Sequence, residues 1–384
     1  MKNLICSNEI CMMMIYNMPL INSTAWSWTR TMAETSNIAK MAEKISEDIF
    51  KWFKWEHVPI KDLNFTCHKG KEHSSSSKDK KTHPVDTIFK YKDPYKGREV
   101  IFNTDLKSYK KGSITSSALR DAIWSLARTI DCADGSEEWR KRYALSSKNY
   151  EIRGLLFVYN HDGEYQNNFL DLFKPKIGKE GRLTGGINIG NVPLREGQQL
   201  HIIEPLLIQY MRTIISDMDK LHREGSFPEK SYSFYYPDLL LHKLKGDTQN
   251  HPATIELISG PYMIIKHDDI VKWCERTSAP VVRYGKGYII YYNQTGDTYL
   301  EFIYLFDMLS NLQILRTKEN KIRIRVAHRQ PFNDIRSSFQ TAVEIYSHSL
   351  GGDEFKAEVL KSIELEIVEQ TKDIFSTNDI GWDR

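Results

Sequence analysis

Asp105 and Lys107 lie two residues apart in the run Glu99 to Tyr109. Strand alternation puts Val100, Phe102, Thr104 and Leu106 on one face of that run, and Ile101, Asn103, Asp105 and Lys107 on the other. A carboxylate and an ammonium therefore point the same way. Two further acids can be brought to them: Asp86, from a preceding strand His83 to Tyr91 joined by a turn at Asp93 to Gly97, and Glu43, from an earlier helix. Hard cations such as Mg²⁺ or Mn²⁺ take oxygen ligands and retain waters. Carboxylates with the backbone carbonyl of Leu106 make a half-shell that leaves positions for water and a phosphate oxygen. Such an ion stabilises charge developing on a scissile phosphate, while Lys107 orients or deprotonates the attacking water or stabilises the oxyanion. The chemistry this set suits is phosphodiester hydrolysis.

The elements needed to position these groups are readable from hydrophobic period. Ile38, Met41, Ala42, Ile45, Ile49, Trp52 and Phe53 recur at three- and four-residue steps, with Ser36 or Asn37 placed to cap the start and Pro59 beyond the end. Glu43, Glu47 and Asp48 occupy the polar side of that helix. A strand at Leu63 to His68 and a Ser-rich loop through Lys69 to His83 come next. After the hairpin, Ser116 and Ser117 cap a helix to about Ile130, and Ile152 to Tyr159 forms an apolar strand. The order is helix, strands, helix, strand. Residues 61–112 hold 13 Lys and Arg against 7 Asp and Glu, an excess suited to phosphate neutralisation. Lys92, Lys96, Arg98, Lys110 and Lys111 are the candidate nucleic-acid contacts, with Lys69, Lys71, Lys78, Lys80 and Lys81 also expected around the site.

The run His83-Pro84-Val85-Asp86, then Thr104-Asp105-Leu106-Lys107, with Glu43 on the helix before, resembles the PD-(D/E)xK, or restriction-endonuclease-like, nuclease superfamily. The resemblance covers roughly Asn37 to Asn160 and includes the element order. Val85 between proline and acid makes it PVD rather than a strict PD. It implies an α/β N-terminal domain with a mixed sheet flanked by helices. It also implies Glu43, Asp86 and Asp105 as metal ligands, and Lys107 as catalytic base or charge stabiliser. Mg²⁺- or Mn²⁺-dependent cleavage of DNA is the expected activity, in a setting that resembles effectors of prokaryotic anti-phage defence. The competing reading is a nuclease-like subunit that binds DNA or a protein partner without cutting.

The remaining chain reads as a C-terminal α/β domain with no catalytic signature. The expected organisation is an extension at 1–36, the nuclease-like domain at 37–177, a Gly-rich connection at 178–198, and a recognition or partner-binding domain at 199–384. In the last of these, helices are expected at Glu204 to His222, Asp269 to Arg276 and Tyr299 to Leu315. Strands are expected at Tyr232 to Tyr236, Ala253 to Ile258, Tyr262 to Lys266, Val281 to Tyr292 and Lys321 to His328, and two helices close the chain. The tyrosines near 232–236 and 284–292 suit core packing better than base stacking, and Arg323 with Arg325 is expected to contact phosphate or face water. Residues 352–384 carry 4 Lys and Arg against 9 Asp and Glu, so the terminal helix, with its apolar stripe, suits docking on its own domain or on a second protein subunit. Self-association is compatible with the same reading.

Several classes are excluded. The 40% hydrophobic and 27% charged composition removes disorder. Ile10 to Thr29 lacks charge, yet it contains Asn17, Pro19 and Asn22 and has no compact apolar core, so neither a membrane span nor a signal sequence is expected there, and Met32 is a candidate native start. Five scattered cysteines without a CxxC pair argue against a disulfide framework or a thiolate zinc site and point to a reducing cytoplasm. His68, His73 and His83 show no ligand spacing. No nucleotide-binding glycine loop, nucleophile elbow or repeat at solenoid or propeller periods is present.

Overall fold

The computed structural model describes residues 32–60, 63–74, 78–143, 149–177, 183–237, 250–349 and 354–371. The expected N-terminal extension falls almost wholly outside these residues. The chain forms two compact units, the first spanning 1–93, 97–208 and 372–384, the second 94–96 and 209–371.

In the first unit, α1 (Met32–Trp52) buries Ala42, Ile45, Ile49 and Phe50 on one face. Lys54, in the left-handed region at φ 61°, ends that run and turns the chain into β1 (Glu56–Val58). A small ribbon, β2 (Phe65–Thr66) with β3 (Thr82–His83), precedes the hairpin of β4 (Thr87–Lys92) and β5 (Glu99–Tyr109). Helices α2 (Ser116–Gly135) and α3 (Glu137–Tyr143) lead to β6 (Tyr150–Asn160). Thr115 caps α2 by accepting from the Ala118 amide at 3.2 Å. A second ribbon, β7 (Lys176–Ile177) with β8 (Leu183–Thr184), is followed by β9 (Leu200–Ile203). The sheet runs β1-β4-β5-β6-β9, antiparallel across the first two junctions and parallel across the last two. The mixed sheet flanked by helices is the α/β fold expected.

Two layers cover this sheet. Phe50 of α1 meets Phe89 and Phe157, and Trp55 stacks on Phe102. The opposite face packs Leu119, Ile123, Leu126 and Ile130 of α2 on Leu156, Val158, Leu200 and Ile202. The described part of the Gly-rich segment, 183–198, lies inside this unit, where Ile187, Val192 and Leu194 join the same core.

The second unit takes most of α4 (Pro205–Arg223), then β10 (Tyr232–Phe234), α5 (Ile255–Ile258), β11 (Tyr262–His267), β12 (Ile270–Cys274), β13 (Ala279–Tyr284) and β14 (Gly287–Tyr292). It finishes with α6 (Tyr299–Asn311), β15 (Lys321–Val326), α7 (Ile335–Ser349), α8 (Glu354–Lys361) and β16 (Glu364–Ile367). Its sheet order, β10-β11-β14-β15-β16, is again antiparallel twice and then parallel twice. The second unit thus repeats the strand order and directions of the first. On the α6 side of β14, however, stand Tyr288, Ile290 and Tyr292, packed on Phe302, Leu305 and Phe306.

Four expectations are corrected here. Ala253 to Ile258 holds a one-turn helix capped by Thr254 rather than a strand. Asp269 to Arg276 is not a helix: β12 pairs with β13, and Asp269 accepts from the Lys286 amide at 2.7 Å instead of capping. The final helix ends at Lys361, and β16 pairs with β15. A four-residue apolar spacing such as Ile363 and Ile367 satisfies period two as well as a helical turn, so it does not distinguish them. Arg323 and Arg325 are 3% and 4% exposed, not solvated. Arg325 pairs with Asp217 of α4 and with Glu366, while Arg323 donates to the Ser226 carbonyl at 2.8 Å and lies over the Tyr284 ring.

Candidate active site

The site stands where β5 emerges from the core. That strand is buried on both faces from Val100 to Thr104 and opens at Asp105. Beneath the opening, Asn103 accepts from the Trp139 indole N–H at 3.1 Å, a fully buried bond that anchors the site's side of the strand and that no sequence pattern announced. Buried Val85 packs with Val58, Ile88 and Ile101 and so fixes the chain just ahead of β4. The register pairs Thr87 with Thr104, which makes Asp86 and Asp105 the next opposed positions.

Asp86 Oδ2 accepts from the Leu106 amide at 2.8 Å. Its carboxyl also meets that of Asp105, and Lys107 forms an ion pair with Asp105. Burial, reinforced by the Asp105 charge, pushes the Asp86 carboxyl up to about 7, against the opposing pull of Lys107 and the Leu106 amide. Burial works against the Lys107 ammonium, but Asp105 and then Asp86 outweigh it and hold the lysine charged above its ordinary range. Tyr109, also raised by burial, stands on the same strand face as Lys107. The arrangement is two crowded carboxyls, which a divalent cation would relieve, beside a fixed positive charge. In an extended strand the carbonyl of a residue points to the same edge as its N–H, so Leu106 presents its carbonyl toward the Asp86 side.

Residues 32–206 match the family model described as the GAPS4 protein PD-(D/E)XK nuclease domain. This segment is a PD-(D/E)XK nuclease domain. The matched range begins where α1 begins and ends within two residues of the first unit's main boundary at Ile208. No curated protein and no solved structure matches the chain.

Within the nuclease domain, the hydrogen bonds and ion pair above join Asp86, Asp105, Leu106 and Lys107. Glu43 is placed differently. It sits half-buried on α1, which packs on the Phe102 face, whereas alternation turns Asp105 to the opposite face. Glu47, one turn later, lies 3.7 Å from His57, whose Nε2 is 2.8 Å from the Thr87 hydroxyl.

The expected basic ring is split. Lys110 and Lys111 are exposed just past Lys107. Lys92 and Arg98 flank the turn that carries Lys96, at the far end of the hairpin and about 20 Å along the strands from Asp86. Arg98 is paired with Glu151 at 2.9 Å. The expectation that all five surround the site fails because residues near a hairpin turn are close in sequence to the strand tips but distant in space.

Proposed function

We propose that this chain is a divalent-metal-dependent nuclease that hydrolyses phosphodiester bonds of DNA, acting in the cytoplasm as the effector of a prokaryotic anti-phage defence system. The observation that carries the reading is the meeting of Asp86 and Asp105 beside charged Lys107 in a PD-(D/E)XK domain. Two adjoining oxygen acids, one of them pushed up to about 7 by burial and then by the charge of the other, are a donor set fitted to Mg²⁺ or Mn²⁺. Asp86, Asp105 and the Leu106 carbonyl would hold the ion directly, with Glu43 approaching from the α1 side. The ion, when bound, supplies charge stabilisation at the scissile phosphate and polarises water.

The chain's own residues do the rest. The Leu106 amide orients Asp86, and the Asn103 to Trp139 bond keeps the strand beneath fixed. Lys107, held as an ammonium, stabilises negative charge on the phosphate instead of removing a proton. Lys110 and Lys111 lie where they neutralise flanking phosphates. The second unit is assigned to recognition, through DNA or a second protein subunit. Plasmid, linear and single-stranded DNA incubated with and without Mg²⁺, beside Lys107→Ala, tests the proposal. Metal-dependent products made by the wild type alone are expected, and DNA bound but uncut by both proteins would instead establish a non-cutting subunit.

A further inference from the structure

Cys67, His73, His83 and Cys132 bring one ligand atom each into a single cluster, with all four atoms within 4.8 Å of one another. Cys67 follows β2, His83 lies on β3, His73 sits on the turn joining them, and Cys132 belongs to α2. His73, His83 and Cys132 are buried. The sulfurs are 3.8 Å apart, the facing nitrogens His73 Nδ1 and His83 Nε2 are 3.2 Å apart, and His73 Nδ1 lies 3.5 and 3.4 Å from the two sulfurs. A tetrahedron built with zinc bonds of about 2.3 Å to sulfur and about 2.0 Å to nitrogen has edges of about 3.8, 3.3 and 3.5 Å for the same three pairings.

Hydrogen bonding alone does not account for the cluster. His73 Nδ1 has one proton or one lone pair, yet it is in contact with three heteroatoms. An ion at the centre satisfies all of them at once. The outward nitrogens are already committed as ligand histidines require: His73 Nε2 is 3.0 Å from Asp131 Oδ2, and His83 Nδ1 is 3.3 Å from the Thr129 hydroxyl. Asp131 is itself held by Lys69 at 2.7 Å and by Arg195. Backbone amides of His68 and Lys69 point at the Cys132 sulfur.

We propose that these four residues bind one zinc ion in a closed structural site that pins the β2-β3 ribbon to α2. Two sulfurs and two imidazoles in tetrahedral disposition select zinc over the hard cations suited to Asp86 and Asp105, and four protein ligands leave no open position. The expectation against a thiolate zinc site is thereby reversed: the ligands are separated by 6, 10 and 49 positions, a spacing no local motif describes. The ion would also fix His83, three residues ahead of Asp86, so the clip sets the approach of the chain to the acid pair.

The test uses the full chain purified under reductant, with metal content by elemental analysis and the absorption spectrum after Co²⁺ replacement. One zinc per chain is expected, and Co²⁺ should show tetrahedral d–d bands with thiolate charge transfer. Cys132→Ser should lower zinc at least tenfold, while Cys274→Ser and Asp105→Ala leave it unchanged, which separates this site from the acid pair. Cys67→His, which keeps four ligands, should retain the ion with weaker charge transfer. A reduced wild-type chain that carries no zinc and gives only the weak octahedral Co²⁺ spectrum overturns the proposal, as does zinc retained in full by Cys132→Ser.

Discussion

Leu106 donates its backbone N–H to Asp86 Oδ2 at 2.8 Å, so the acid leading into β4 is held by the residue that separates the acid and the amine of β5. This couples the two halves of the site without a side chain between them. Asp105→Ala and Lys107→Ala are expected to lower DNA cleavage at least about 10²-fold, with the thermal transition of the chain retained. Glu43→Gln, altering a group that approaches from the opposite face, should cost less than about tenfold on the same scale. Cleavage of supercoiled plasmid over time, measured for the three variants, gives the ranking, and an Asp105→Ala enzyme within tenfold of wild type would remove the site.

The Asp86 carboxyl, raised to about 7 without metal, gives a pH signature. Its folded-state value lies above its unfolded one, so it favours folding below about pH 4 and that contribution is lost as pH rises through about 7. Urea midpoints of the metal-free chain should therefore fall across that window, and Asp86→Asn should flatten the slope. Binding of Mg²⁺ or Mn²⁺ requires the ionised form. Calorimetry in buffers of different ionisation heat should find proton release below pH 7 that disappears above it, and a release independent of pH would contradict the assignment.

The split of the basic residues predicts unequal effects on DNA binding. Lys110→Ala and Lys111→Ala should each weaken affinity and reduce the slope of log affinity against log salt by about one. Lys92→Ala, at the remote end of the hairpin, should leave the slope unchanged. Fluorescence anisotropy of Asp105→Asn at several salt concentrations measures this. Equal losses at both ends would indicate a longer DNA path than the site alone requires.

In the second unit, Asp217 accepts from the Arg325 Nε at 3.0 Å and the Tyr291 hydroxyl at 2.9 Å, all buried. Asp217→Ala leaves a buried guanidinium with Glu366 as its acidic partner among the described residues and should cost about 3–5 kcal/mol. Chemical denaturation followed by tryptophan fluorescence should show a unit that unfolds earlier. A change under about 1 kcal/mol would mean the arginine finds water.

The acid pair and Lys107 were legible because each rests on local rules: alternation along β5 and one hairpin junction back to Asp86. Lys92 and Arg98 were misplaced by the same hairpin, since nearness in sequence to a turn is distance from the tips. Cys67 and Cys132 could not be joined from sequence, because only the packing of α2 against the ribbon brings positions 65 residues apart to 3.8 Å. Arg325 read as a surface strand residue because its partner, Asp217, comes from a helix 108 positions earlier. The short helix at Ile255–Ile258 and the hairpin at Ile270–Tyr284 lie below the length at which apolar period decides between helix and strand.

The second unit copies the strand plan of the first, but the face of its third strand toward α6 carries Tyr288, Ile290 and Tyr292, packed as core. If the chain cuts DNA as proposed, a monomer would have a single blade among its described residues. The two backbones of a duplex run in opposite directions, so one blade would sever one backbone at each encounter, and open circles should precede linear molecules unless a second copy, turned by a twofold axis, works on the other side.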